Sequence, residues 1–345
     1  MKNINRGTVV TYRVRLARNL TGYNFASTLT DKQKAKEIIN RCYSAINKFG
    51  VFDLYEMDKI SPLLAEQLKE KYVISEALKK NTFSGAVAVD KQESLSVMIN
   101  EEDHIREQSI VKGEYDLLTA YKRLVPLDRW LNNNLRFCRN DRLGYVTACP
   151  TNLGTGLRAS AMMFLPALCK KNMIETLYTK AKQRGLTVRG VFGEGSTGQS
   201  YLYQVSNEVT LGRAELNLIN EVQKYTQEVA DIEDINLFTY YNENKAKVQD
   251  EVFRAYGILT SARLISYNEF CSLIANFKMG AMLNIVSVKE ILALDDLLVT
   301  ARPALLKSSI NNLSDLKDER AVNEAIDWFR AEYARNCIKK IIIKP

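Results

Sequence analysis

The chain has 345 residues, 46% hydrophobic and 26% charged, which is the balance of a globular protein able to bury one large core and a smaller second one. No apolar run approaches about 18 residues, and the first twenty positions are basic without an apolar stretch, so neither a membrane span nor a secretory signal is expected and the expected location is cytoplasmic. The net charge of +8 is dispersed rather than gathered into a run, and six scattered cysteines form no CxxC pair, which argues against nucleic-acid binding, a zinc knuckle and a disulfide framework.

In chain order, Tyr12 to Leu20 alternates basic and apolar residues. As a strand it projects Arg13 and Arg15 from one face, where two uncompensated guanidiniums repel unless an anion lies between them. The alternative is a solvated edge strand. Thr30 to Lys48 has helical spacing with Thr30 as its cap, followed by a short strand over 51–55 and a helix over 61–71 that starts at Ser61-Pro62. GAVAVD and SLSVMIN form a predicted hairpin around Asp90-Lys91-Gln92-Glu93, part of a mainly antiparallel sheet. Its second strand runs into Glu101-Glu102-Asp103-His104-Ile105-Arg106, either a solvated turn or a chemically dense strand end. His104 is expected to serve as a structural hydrogen-bonding group rather than a base.

A helix is predicted over 117–135, then the stretch GYVTACPTNLGTGLRAS over 144–160. It reads as a strand, a turn holding Cys149, Pro150, Gly154 and Gly156, and a helix starting at Leu157 and Arg158. Backbone N–H groups at such a turn can receive an anion, and a thiol placed there is favoured as thiolate. An ordinary tight loop around a buried cysteine fits the same residues. Helices over 159–169 and 172–183 and a strand over 187–192 lead to a glycine-rich loop, 193–198, that carries Glu194. After a strand over 201–206 the chain becomes helical, near 214–230, 247–257, 266–276, 287–307 and 317–336. The acidic Asp231–Asp234 stretch marks the expected boundary between a first domain, 1–235, and a helical second domain, 236–345.

The dense spots contain five arginines, Arg13, Arg15, Arg106, Arg158 and Arg189, with Glu101, Glu102, Glu194 and Cys149. So many guanidiniums exceed what one carboxylate ligand needs but suit a triphosphate, whose oxygens accept forked donors. Neither a P-loop nor a protein-kinase glycine loop with its lysine is present in the sequence. The acids then call for a cationic acceptor, and a planar guanidinium matches paired carboxylates.

The segments YRVRLARNL, VMINEEDHIR, CPTNLGTGLRAS and RGVFGEG resemble the ATP:guanido phosphotransferases, the family of arginine and creatine kinases, over residues 11–215. Within it, the start at the RVR segment, the helical extension and SVMINEEDHIR, GTGLRAS and VSNEVTLG are similar to the bacterial protein-arginine kinases. The resemblance implies an α+β, glutamine-synthetase-like catalytic domain with a large antiparallel sheet flanked by helices, plus a helical C-terminal domain that dimerises. It implies ATP and Mg2+, with Arg13, Arg15, Arg106, Arg158 and Arg189 on the phosphates and Glu101 near the magnesium shell through water. It assigns Glu102 as the proton-accepting carboxylate, Glu194 as the second carboxylate and Cys149 as a guanidinium contact. Implied partners are arginine-bearing protein substrates, a zinc-binding activator, a transcriptional repressor and a Clp-type protease, without nucleic acid or membrane. Two family histidines are replaced, by Tyr72 and Phe164, and the first lies where the nucleotide is expected. The phosphoarginine-sensing RDxxRA motif is matched only by Arg320-Ala321-Val322-Asn323-Glu324-Ala325, so that pocket is expected to be absent or altered, which activation by phosphoarginine peptides would contradict.

Overall fold

The structure, a computed structural model, describes residues 7–190, 200–310 and 318–344. The elements of its first half are β1 (Val9–Arg18), α1 (Lys32–Phe49), β2 (Phe52–Glu56), α2 (Pro62–Glu70), α3 (Glu76–Lys80), β3 (Ala86–Asp90), β4 (Leu95–Ile99), β5 (Ile105–Lys112), α4 (Leu117–Leu135) and a small hairpin, β6 (Arg139–Asn140) and β7 (Gly144–Tyr145). There follow β8 (Leu157–Phe164), α5 (Pro166–Lys170), α6 (Ile174–Gln183), β9 (Leu186–Gly190), β10 (Leu202–Asn207) and α7 (Glu215–Glu243). The remainder comprises α8 (Lys245–Ser261), α9 (Tyr267–Met282), β11 (Ser287–Val288), α10 (Leu292–Thr300), α11 (Pro303–Lys307), α12 (Glu319–Ile341) and β12 (Ile342–Lys344), with β11 and β12 paired.

Eight strands form one antiparallel sheet in the order β2-β3-β4-β5-β1-β8-β10-β9. The period-two pattern decides its faces. Tyr12, Val14 and Leu16 of β1 point to one side and pack with residues of α4, α6 and α7, while Ala88, Val97 and Ile105 on the same side pack against α1 and α4. The opposite face is covered at both margins. Val87, Val89 and Met98 lie under the segment holding α2 and α3, and Val10, Phe164 and Leu202 lie under the C-terminal helices. Between these two covers the sheet face is polar. No helix among the described residues is long and apolar enough to cross a membrane.

Several local expectations are corrected. The α1 cap is Asp31, whose carboxylate accepts the N–H groups of Gln33 and Lys34, rather than Thr30. Residues 157–164 form the strand β8, not a helix start: the largely apolar run RASAMMF is a mostly buried strand, which helical spacing alone could not distinguish. β5 continues the sheet where only a strand end was expected. The span 287–307 is not one helix, because Pro303 starts a new one, α11. The helix expected near 214–230 runs on through Asp231–Asp234 as the longer α7.

One of those α7 acids has a structural task. Glu233 is buried and accepts the N–H groups of Ala167 (2.7 Å) and Leu168 (3.0 Å), capping α5. Burial pushes its carboxyl up from 4.5 to about 7; the two N–H donors oppose the shift and Asp234 adds to it. A raised folded-state pKa means that the folded protein holds a proton the unfolded chain releases. The resulting stability is complete below pH about 4.5 and lost as pH rises through about 7. Glu233→Gln is therefore expected to flatten the pH dependence of unfolding, removing a decline on the order of 2 kcal/mol between pH 5 and 8. Denaturant unfolding at stepped pH checks it, and equal slopes for the two proteins would contradict it.

Candidate active site

Strand register brings the predicted arginines together. On β1, Arg13 is opposite Ser160 of β8 and Ile110 of β5, while Arg15 is opposite Arg158 and Gln108. Ala17 is opposite Arg106, and Arg189 of β9 is opposite Gln204 of β10, itself opposite Met162. Directly opposed residues share a face, so all five arginines stand on the polar face of the sheet.

Little negative charge balances them. Arg13 Nη2 donates to Gln204 Oε1 at 3.0 Å, and Arg158 Nη2 to Ser206 Oγ at 3.1 Å, both neutral acceptors. Arg106 Nη1 donates to both Glu101 oxygens at 2.6 Å. Arg15 has a buried Nε with no acceptor among the described residues. Burial pushes the Arg13 guanidinium down to about 10, with Arg106 and Arg158 adding repulsion. Arg15 is driven well below its ordinary value, by burial first and then by Arg13, Arg106 and Arg158. Burial likewise lowers Arg158, reinforced by Arg189 and Arg106. Such mutual cost is relieved by a bound polyanion.

The acids lie at one end of this face. Asn100, in the left-handed region at φ 55°, turns the chain out of β4, and its N–H donates to His104 O at 3.0 Å. Glu101 is buried against Arg106 and takes a short hydrogen bond from Ser75 Oγ. Burial raises its carboxyl, but Arg106, Ser75 and the Glu102 N–H outweigh this and leave it below the ordinary value. Glu102 is exposed; its N–H donates to Glu101 Oε2 at 3.4 Å, and its carboxylate has no partner among the described residues. Asp103 is buried and accepts Asn19 Nδ2 (2.6 Å) and the Ala148 N–H (2.7 Å), which ties the 101–104 turn to the loop of Cys149. His104 is fully buried: its Nδ1 accepts the Leu20 N–H at 3.2 Å and its Nε2 lies 2.7 Å from Asn24 O. That pairing requires a proton on Nε2, and burial holds the ring neutral, so it is a structural group as expected.

Cys149 opens a short turn over Pro150–Asn152, half-buried, with Sγ 3.0 Å from Thr151 Oγ1. The loop around it needs its glycines. A Cβ on Gly144 (φ +80°) would lie 2.5 Å from Gly154 O, and one on Gly154 (φ +109°) 2.8 Å from Thr210 O. Arg18 of the same RVRLAR run is a holding residue that the sequence reading missed. It points to the core side, where Nε bonds Asp128 at 2.8 Å, Nη1 bonds Thr155 O at 2.8 Å and the guanidinium covers the Tyr145 ring at 3.7 Å. Gln204, Ser206 and Ser75 were also missed; single polar residues on alternating strands carry no signal until register is known. Glu194 and its glycine-rich loop lie outside the described residues. Among the described residues no three carboxylate, imidazole or thiol groups gather to cage a metal.

Comparison with known proteins agrees with this geometry. The profile of the ATP:guanido phosphotransferase C-terminal catalytic domain matches residues 34–236, and that of the protein-arginine kinase McsB C-terminal domain matches 245–343. The chain is 37% identical over 326 residues to the protein-arginine kinase of Clostridium novyi (strain NT), covering 92% of this chain and 94% of that one. It is 36% identical over 341 residues to the protein-arginine kinase of Clostridium tetani (strain Massachusetts / E88), covering 98% and 97%. Among solved structures, the duplicated taurocyamine kinase of Schistosoma mansoni with bound transition state analog components superposes with a TM-score of 0.62 at 30% identity over 70% of this chain, which spans 34% of that one. Lombricine kinase shares the fold alone, with a TM-score of 0.59 at 23% identity over 67% of each chain. A face carrying five arginines with carboxylates at its edge, the family profile over most of the sheet and relatives matched along nearly their full length place the chain in the ATP:guanido phosphotransferase family, as a kinase of guanidino groups.

Proposed function

We propose that this chain is a protein-arginine kinase that moves the γ-phosphoryl group of ATP to a guanidino nitrogen of arginine side chains in other proteins. The observation that carries the reading is the buried Nε of Arg15, without a partner among the described residues, amid four further guanidiniums and beside a turn that leaves Glu102 without one among the same residues. In this reading Arg13, Arg15, Arg106, Arg158 and Arg189 hold the triphosphate. Glu102 takes a proton from the acceptor guanidinium as its nitrogen bonds the γ-phosphorus and the bond to the ADP oxygen breaks. The proton transfer is needed because a guanidinium of pKa above about 12 has no nucleophilic lone pair. Cys149, on the loop tied to the Glu102 turn by Asp103, is assigned in this reading to contact the guanidinium, with Glu194 as the second orienting carboxylate. Magnesium, when bound, supplies charge neutralisation on the β- and γ-oxygens. Glu101, already engaged by Arg106 and Ser75, suits an outer position reached through water better than direct ligation.

We further propose a catalytic domain over 1–235 and a helical domain over 236–345, supported by the change of matching profile between 236 and 245. A protein acceptor rather than a free small one is supported by the relatives matched along nearly their full length, which are protein-arginine kinases. Parallel assays with ATP and either free arginine or an arginine-rich protein test it. Phosphate appearing on the protein in preference to the amino acid is expected, and the reverse preference would sink the reading.

A further inference from the structure

The polar face does not end in solvent. Where the C-terminal helices begin to cover the sheet, a cavity of about 830 Å3 is lined from the sheet by Arg13, Ser160 and Arg189 and from the helical part by Tyr267, Leu298 and Arg302. Its volume falls within the range of small-molecule sites, about 300–1,000 Å3. Along the strands the sheet face changes character as it approaches this cavity. β1 runs from Arg15 and Arg13 to Thr11, β8 from Arg158 and Ser160 to Met162, and β5 from Arg106 and Gln108 to Ile110. A nucleoside triphosphate is charged at one end and planar and weakly polar at the other. Phosphates toward Arg15 and Arg158 and the base toward Ile110 and Met162, the end that the helical part walls and where Lys112 is paired with Asp296, would match this gradient.

That wall is built around one guanidinium. The Arg302 Cζ lies 4.4 Å from the Tyr72 ring centroid. Its Nη1 donates to Glu70 O at 2.8 Å, its Nε to Tyr267 OH at 3.2 Å and its Nη2 to Tyr72 OH. Glu70 in turn accepts the N–H groups of Ala304 (3.1 Å) and Leu305 (3.0 Å), so the end of α2 and the start of α11 hold each other. Tyr72 has φ 61°, a conformation that bulky residues seldom adopt, and its carbonyl accepts Gln108 Nε2 at 2.9 Å, beside Ile110. Both Tyr72 and Arg302 line the cavity.

We propose that Arg302 is a nucleotide-positioning residue: stacked on Tyr72, it forms the planar wall against which the base is seated, so the helical C-terminal part completes the nucleotide site. The inference rests on the ATP-dependent reading above and assigns the base end of that site. Calorimetric titration of the full chain with ATP and, separately, with inorganic tripolyphosphate tests it. Arg302→Ala is expected to weaken ATP about tenfold, the loss of one planar stacking partner, while tripolyphosphate affinity stays near wild type. In turnover the KM for ATP rises with kcat nearly unchanged, and Arg302→Lys, which lacks the planar fork, does not restore it. Should Arg302→Ala fail to fold, Tyr72→Asn removes the ring while tolerating the left-handed backbone, and the same selective loss is expected. Equal weakening of both ligands, or unchanged ATP affinity in a folded variant, overturns the proposal. If the wild type binds neither ligand, the ATP-dependent reading falls with it.

Discussion

Glu102→Gln is expected to lower phosphoryl transfer by on the order of 10²–10⁴-fold while leaving ATP affinity nearly unchanged. The reason lies in how differently two adjacent acids are held. Glu101 is enclosed by Arg106 and Ser75 and cannot reach out without unpairing the half-buried Arg106. Glu102, one residue on, is exposed, and among the described residues nothing competes for its oxygens. Asp103 then anchors the turn to Asn19 and Ala148, so the free carboxylate is presented from a fixed base. Glutamine keeps the shape and removes the proton acceptor. Single-turnover transfer together with equilibrium ATP binding measures both halves. A variant that still transfers at the wild-type rate would remove Glu102 from the base role, and one that loses ATP binding would relocate it to the nucleotide site.

Arg15→Met is expected to cost about 10³–10⁵-fold in rate, the range for removing a guanidinium from a transferring phosphoryl group. Unusually for so damaging a change, the ligand-free variant is expected to be more stable than the wild type. Arg15 is desolvated and repelled by Arg13, Arg106 and Arg158, and among the described residues its Nε has no acceptor. Its folded-state pKa lies below the unfolded value, so at neutral pH the charged form is the form folding disfavours. Methionine fills similar volume without that charge, and a strained binding site is where stability and activity trade against each other. Thermal melts with and without tripolyphosphate give the test. The ligand should raise the wild-type Tm strongly and the variant Tm much less, with the variant starting higher. A lower ligand-free Tm for Arg15→Met would mean that Arg15 has a stabilising partner in the apo protein.

Much of this arrangement was legible in the sequence, and the limits have physical causes. Alternation in YRVRLAR places Arg13 and Arg15 on one face and, by the same parity, puts Arg18 on the other, where it holds the Cys149 loop through Thr155 O. NEEDHIR declared a dense strand end, yet the division of labour between Glu101 and Glu102 depends on Ser75, which is 26 residues away in sequence. The segment 157–164 was misread because a strand buried on one face and functional on the other gives a nearly continuous apolar run with one arginine. Register decided the rest: Gln204 and Ser206 face Arg13 and Arg158 only because β10 pairs with β8 and β9 as it does. The long-range tie from Arg302 to Tyr72 joins residues 230 positions apart, and local pattern carries no trace of it.

The most direct test of the account is mass spectrometry, under conditions that preserve acid-labile phosphate, of an arginine-rich protein incubated with this chain and ATP. The account predicts phosphate on arginine side chains, dependent on ATP and lost with Glu102→Gln. Phosphate found only on serine, threonine or tyrosine, or none on arginine from a folded, ATP-binding wild type, would contradict it.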